Sequence, residues 1–154
     1  MDNNNDEILH KYEEIRRILE EKKNNILLYV IDKAINYINI ENPQNYTSNI
    51  CCCYRVFSKA IYDYKDVPSL VEELRYYAGE MIYIIDKITG EKIRETSDTF
   101  NEREKSIPTN LLYWYDIIEN KKEEIYSEIR EFIKTVCMSK FYDVQNLNFA
   151  ALSA

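Results

Sequence analysis

Apolar side chains recur at helical spacing near the start of the sequence. Four of them follow one another at steps of four, three and four, which places them on one side of an α-helix. They are Ile8, Tyr12, Ile15 and Leu19. Charged residues, among them Glu13 and Arg17, fall on the opposite side. The pattern predicts an amphipathic helix that begins near Asp6.

A second apolar run follows a polar interruption at residues 22–25. Its members also have helical spacing, and they are Leu27, Val30, Ile31, Ala34 and Ile38. The two runs form either one long helix whose apolar face changes direction or two helices that meet at the interruption. An unbroken helix over residues 6–40 would measure roughly 50 Å, more than the width of a compact domain of this size. We therefore expect a break, or a partner chain that covers the excess, and the length favours dimerisation.

The four-three spacing returns near the end of the chain, after Pro108 and Asn110, which are typical of a helix start. The apolar positions of this last helix are Leu111, Tyr115, Ile118, Ile125, Ile129, Phe132 and Val136. One position of the core pattern carries a charge, at Lys122. Helices with this spacing pack within a bundle or along a coiled-coil seam between protomers.

Two shorter helices are predicted in the middle of the chain. The apolar stripe of the first consists of Cys53, Val56, Phe57, Ala60, Ile61 and Tyr64. The turn at residues 66–69 ends this helix, and Ser69 with Glu72 has the spacing of a capping box that opens the next. We predict Gly79 as the C-cap of that second helix.

Residues 81–96 fit two structures. As a helix, Met81, Ile84 and Ile88 continue the preceding apolar spacing; as a β-hairpin, β-branched and aromatic runs flank a turn at Gly90. We favour the hairpin, because Gly79 weakens a continuous helix and residues 89–91 suit a turn. The predicted fold class is mainly α, a helical bundle of about five helices with the alternative of a hairpin near 81–96.

The chain is long enough for one domain with a substantial core, since 45% of its 154 residues are hydrophobic. No repeat or long linker divides it, so we predict a single helical domain over residues 1–149. Residues 150–154 are small and show no pattern. We interpret them as a tag remnant or a disordered tail.

Charge and composition bear on partners and location. The net charge of −7 repels phosphates, so nucleic acid is an unfavoured partner. The acidic first residues do not resemble a signal peptide, and no apolar run is long enough for a membrane span. We therefore expect a soluble cytoplasmic protein without a membrane partner. Abundant Ile, Asn, Lys, Glu and Tyr indicates an AT-rich genome, such as those of many large DNA viruses, phages, low-GC bacteria and some protists.

The sequence lacks the side chains that most catalytic and cofactor sites require. His10 is the single histidine and lies among charged residues, so no catalytic triad can be assembled around it. Cys51, Cys52 and Cys53 are adjacent, and adjacent side chains diverge on a helix, so they suit packing better than zinc binding or lipid attachment. The two glycines lie too far apart for a phosphate-binding loop. We expect no enzyme activity, no metal and no cofactor.

These features favour a protein-protein interaction module that self-associates as a homodimer, in the setting of a viral or phage factor that engages a host protein. The heptad-like helices and the aromatic cluster near Trp114 support this hypothesis, because tyrosine and tryptophan are enriched at interfaces. The candidate partner-binding residues are Tyr113, Trp114, Ile8, Tyr12, Ile15 and Leu19.

The order of the middle elements supports an alternative hypothesis. A helix over 53–64, a turn, a helix over 69–78 and a hairpin over 81–96 resemble a dimeric winged-helix transcriptional regulator. That resemblance implies DNA binding by the second of these helices. Its acidic residues oppose the alternative, because Arg75 is the only basic side chain there and groove insertion needs positive or amide groups.

Overall fold

The computed structural model describes the backbone of residues 2–90 and 111–153 and the side chains of residues 4–90 and 115–140. Within these ranges the chain forms five α-helices and no strand. They are α1 (Asp2–Ile38), α2 (Tyr46–Asp63), α3 (Pro68–Thr89), α4 (Leu111–Glu119) and α5 (Lys122–Ser153). The predicted mainly α class and the helical bundle are confirmed.

The first helix is continuous through the polar interruption of its apolar pattern. α1 has 37 residues and is about 55 Å long at 1.5 Å per residue. The break expected at residues 22–25 is wrong, because this segment contains neither glycine nor proline and its backbone hydrogen bonding continues. Polar side chains at this point redirect the apolar face without ending the helix.

The core of the bundle begins at Leu27 and draws on the rest of α1, on α2, on α3, on Ile118 of α4 and on the first half of α5. The largest fully buried side chains are Leu27, Ile31, Ile38, Ile50, Tyr54, Phe57, Leu70, Leu74, Met81 and Ile85. α5 contributes Ile125, Ile129 and Ile133. The rings of Phe57 and Tyr77 meet edge to face, with centroids 5.9 Å apart, and join α2 to α3.

Two polar contacts show that α5 runs antiparallel to α1. Near the start of α5, the Tyr126 hydroxyl accepts a hydrogen bond from the Ile40 amide and donates one to the Ile40 carbonyl, both at 2.9 Å. Further along α5, Lys140 pairs with Glu73, which also pairs with Lys23 of α1. The first half of α5 therefore lies beside the second half of α1.

The third helix includes residues 81–89, which belong to the range for which the sequence favours a hairpin. α3 is helical over Pro68–Thr89, so the hairpin is wrong for residues 81–89, and residues 91–96 lie outside the described residues. The winged-helix alternative places its wing over residues 81–96, and residues 81–89 of that range are helical. Gly79 lies inside α3, so its assignment as C-cap is also wrong. The C-cap is Gly90, whose φ of 74° is left-handed.

Burial explains why α3 does not stop at Gly79. A glycine within a helix costs about 1 kcal/mol relative to alanine. Each large apolar side chain that the extension buries returns about 1.5–3 kcal/mol. The buried side chains beyond the glycine are Met81, Ile82 and Ile85.

The helix ends also differ from the sequence predictions. Val67 is the N-cap of α3 and makes no side-chain capping bond, and Pro68 is the first helical residue. The predicted capping box at Ser69 is therefore wrong. By contrast, α2 has a side-chain cap, since Asn45 Oδ1 accepts a hydrogen bond from the Ser48 amide at 3.0 Å.

The last predicted helix is divided into α4 and α5 by a turn at residues 120–121. Lys122 and Glu119 pair across this turn at 2.8 Å. The hydroxyl of buried Thr47 also donates to Glu119, which ties α4 to the start of α2. No helix among the described residues is both long and apolar enough to cross a membrane.

Candidate interaction surface

The first half of α1 projects from the bundle. Every residue from 4 through 22 is exposed, and the first half-buried residue is Lys23, whose Nζ lies 3.4 Å from the Glu73 carboxylate. The projecting residues span about 28 Å at 1.5 Å per residue. A helix lying against the bundle would have one covered side, so this segment contributes nothing to the core.

One side of the projecting segment carries six large apolar residues, which we name the α1 stripe. Its members are Ile8, Leu9, Tyr12, Ile15, Ile18 and Leu19. Their side chains are between 41% and 66% exposed. Four of the six are candidate partner-binding residues from the sequence, whereas Leu9 and Ile18 were missed. Leu9 lies three residues before Tyr12, and Ile18 lies three residues after Ile15, so the same helical spacing could have predicted both.

The α1 stripe and the buried face of α1 point in different directions. The buried face consists of Leu27, Val30, Ile31, Ala34 and Ile38. At 3.6 residues per turn, the mean direction of the stripe lies about 90° around the helix axis from that face. A partner centred on the stripe therefore approaches α1 from a different side than α2 and the first half of α5.

Charged residues surround the stripe on the remaining surface of the segment. Glu7 and Lys11 are four residues apart, as are Glu13 and Arg17. This order and spacing stabilise an exposed helix by about 0.2–0.5 kcal/mol for each pair. The projecting segment therefore has local support for its helical state in addition to its continuity with the bundle.

The aromatic candidates Tyr113 and Trp114 lie in α4, and their side chains are outside the described residues. The next residue, Tyr115, is half-buried and its hydroxyl accepts a hydrogen bond from Asn45 Nδ2 at 3.1 Å. A partner-binding role of Tyr113 and Trp114 stays a prediction.

The three adjacent cysteines lie inside α2, and two of them face the core. Burial, with a smaller effect of the neighbouring Cys52, raises the pKa of Cys51 to about 12 and raises the pKa of Cys53 further. Both thiols are therefore protonated at neutral pH and act as small packing groups. Among the described residues, no group of three or more His, Cys, Asp or Glu side chains could hold a metal ion.

A groove of about 440 Å³ between α1 and α2 is the other surface feature of note. Three basic side chains line it, Lys33, Arg55 and Lys59, together with the acidic Asp63. The Lys33 ammonium lies 5.0 Å from the centre of the Tyr29 ring. All three basic side chains are exposed, so water and salt screen them and the groove attracts anions only weakly.

No protein-family model, curated protein sequence or solved structure matches the chain. Among the described residues, α1 groups more exposed large apolar side chains than any other helix, and most of them belong to the α1 stripe.

Proposed function

We propose that this protein is a non-enzymatic interaction module that self-associates through the α1 stripe. The observation that carries the proposal is the exposure of six large apolar side chains along one side of a projecting helix. Isolated apolar residues are common on protein surfaces, but contiguous apolar patches mark interaction sites. The acidic charge of the chain disfavours nucleic acid as the partner.

The free energy of covering the stripe is sufficient for a reversible dimer. Burying the exposed part of a large apolar side chain stabilises by about 1 kcal/mol, and two copies supply twelve such side chains. Bringing two molecules together costs an estimated 4–15 kcal/mol, so about 12 kcal/mol is a comparable gain. At the low end of that cost the net gain is about 8 kcal/mol, which corresponds to a dissociation constant of about 1 μM.

A second copy of the chain would also supply the tertiary contacts that the projecting half of α1 lacks. A helix of this length without tertiary contacts is marginal in water, because its hydrogen bonds barely offset the entropy of ordering it. Packing an apolar side against another helix is the usual source of the missing stability. Self-association would therefore stabilise the projecting half of α1.

Sedimentation equilibrium of the full chain tests the proposal. The native protein is expected to approach twice its chain mass of 18.5 kDa as its concentration rises. The double variant Tyr12→Glu/Ile15→Glu is expected to stay at one chain mass, because charges would have to be buried in the seam. Both residues are exposed in the single chain, so the bundle of the variant is expected to fold normally.

The matched control is His10→Glu, which places a new carboxylate on the outer side of the same helix segment. It is expected to sediment as the native chain does. A native chain that keeps one chain mass at every concentration contradicts the proposal. So does a control variant that dissociates as fully as the stripe variant, because the effect would then come from charge alone.

A further inference from the structure

The sequence of the projecting segment has the same chemical pattern in both directions. Residues 6–21 are symmetric about the midpoint between Glu13 and Glu14, with acidic, apolar and basic residues matched by class. The matched pairs are Asp6 with Glu21, Glu7 with Glu20, Ile8 with Leu19, Leu9 with Ile18, His10 with Arg17, Lys11 with Arg16, Tyr12 with Ile15, and Glu13 with Glu14. All six members of the α1 stripe belong to this symmetric pattern.

From this symmetry we infer that the partner of the α1 stripe is a second copy of the same segment in antiparallel orientation. The twofold axis passes between Glu13 and Glu14. Ile8 of one copy lies beside Leu19 of the other, and Tyr12 lies beside Ile15. This inference rests on the proposed self-association and adds its orientation and register.

The antiparallel register pairs apolar with apolar positions along the whole seam. With Tyr12 and Leu19 at heptad positions a, and Ile8 and Ile15 at positions d, every layer of the seam joins an a residue to a d residue of the other copy. A twofold interface requires such self-complementarity, because each residue must find its own counterpart on an identical surface.

The residues that flank the seam also fit this orientation. Lys11 of one copy lies beside Ile18 of the other, and Arg16 lies beside Leu9. Long basic side chains cover apolar neighbours with their methylene stems while the charged ends stay in water. The acidic residues occupy the outer side of both helices and do not face one another across the seam.

A parallel pair in the same register is disfavoured by charge. Its flanking g and e positions would set Lys11 of one copy opposite Arg16 of the other, on both sides of the seam. Like charges at these positions oppose pairing, because no acidic residue of the segment occupies an e or g position of the opposite helix. The two orientations bury the same apolar side chains, so the flanking charges decide between them.

The antiparallel arrangement also leaves room for the two bundles. Residues 6–21 of the two copies overlap over about 24 Å at 1.5 Å per residue. The core of each bundle begins at Leu27, so the two cores lie beyond opposite ends of the paired segments. The mean direction of the stripe lies about 90° from the buried side of α1, so the second copy approaches from a different side than the helices that cover Leu27 and Ile31.

Disulfide trapping between two single variants of the full chain tests the orientation. Ile8→Cys and Leu19→Cys chains, one of them labelled with nitrogen-15, are mixed and oxidised with oxidised glutathione. In the antiparallel pair these two positions are level, whereas two copies of position 8 are about 16 Å apart along the axis. A disulfide needs Cα atoms within about 7 Å of each other. The expected product is a mixed disulfide joining labelled to unlabelled chains through positions 8 and 19.

The control is Arg17→Cys on the outer side of the helix, which is expected to give no more cross-linked product than the native chain with its own cysteines. Self-cross-linking of Ile8→Cys alone, without the mixed product, would establish a parallel pair and overturn the inference while leaving self-association intact. A dimer mass with no disulfide at either position overturns the register. A single-chain mass for the native protein overturns both the inference and the proposed function.

Discussion

One carboxylate joins three helices at the point where α1 leaves the bundle. Glu73 of α3 pairs with Lys23 of α1 at 3.4 Å, pairs with Lys140 of α5, and accepts a hydrogen bond from the Tyr77 hydroxyl at 3.1 Å. Burial raises its pKa, but the Lys140 hydrogen bond and the two positive charges outweigh this effect and hold the pKa of Glu73 below its ordinary value of 4.5.

At this residue we expect Glu73→Gln to lower the free energy of unfolding by about 1 kcal/mol at neutral pH, because a partly solvent-screened network of two ion pairs and a hydrogen bond loses its central charge. A carboxylate with a lowered folded pKa stabilises above its ordinary pKa, and that contribution is lost as the pH falls through the folded value. The difference in free energy of unfolding between the native and variant chains should therefore disappear as the pH falls below 4.5. Urea unfolding at neutral and acidic pH measures it.

The control for this change is Glu72→Gln at the exposed neighbouring position. It removes the same charge from the chain without touching the network, so its unfolding free energy should stay near the native value at both pH values. If Glu73→Gln lowered the free energy of unfolding by the same amount at neutral and acidic pH, the loss of charge would not be the cause.

At the scale of single helices, two glycines of α3 have opposite roles. Gly90 ends the helix with a left-handed φ of 74°, a conformation that alanine adopts only at a cost. Gly79 lies inside the helix, and an added Cβ there would meet no heavy atom within 4 Å.

We therefore expect Gly90→Ala to destabilise the fold by about 1 kcal/mol and Gly79→Ala to stabilise it by about 0.5–1 kcal/mol. Each variant serves as the control for the other, because both make the same chemical change in one helix. Thermal unfolding followed by circular dichroism measures both. Two shifts in the same direction would contradict the assignment of Gly90 as the C-cap.

The helices themselves could largely be predicted from the sequence, whereas their ends could not. Apolar spacing indicated α1, α2 and the end of the chain, because burial of one side imposes a period of 3.6 residues. The hairpin prediction failed because it gave the local cost of Gly79 more weight than the burial of Met81 and Ile85 further along α3. That burial depends on tertiary packing, which local propensity does not contain.

At the scale of the whole molecule, a helical bundle carries a helix that extends beyond its own core. The sequence showed that an unbroken α1 would be longer than the domain is wide, but this length was taken to indicate a break or a covering partner, and α1 is unbroken. It did not indicate where the bundle begins, because Lys23 belongs to the polar interruption and its contact with Glu73 joins residues far apart in the chain. The exposure of the α1 stripe likewise became evident only from the packing of the other helices.

Self-association through the projecting half of α1 can be tested directly by amide hydrogen exchange, read by mass spectrometry on peptides covering residues 6–21 at several protein concentrations. Exchange protection reports local opening, and a helix whose partner dissociates opens more often. If the chain self-associates through the α1 stripe, protection of this segment falls as the native chain is diluted, while peptides from α2 and α3 keep their protection. Equal protection of residues 6–21 at every concentration would contradict this self-association.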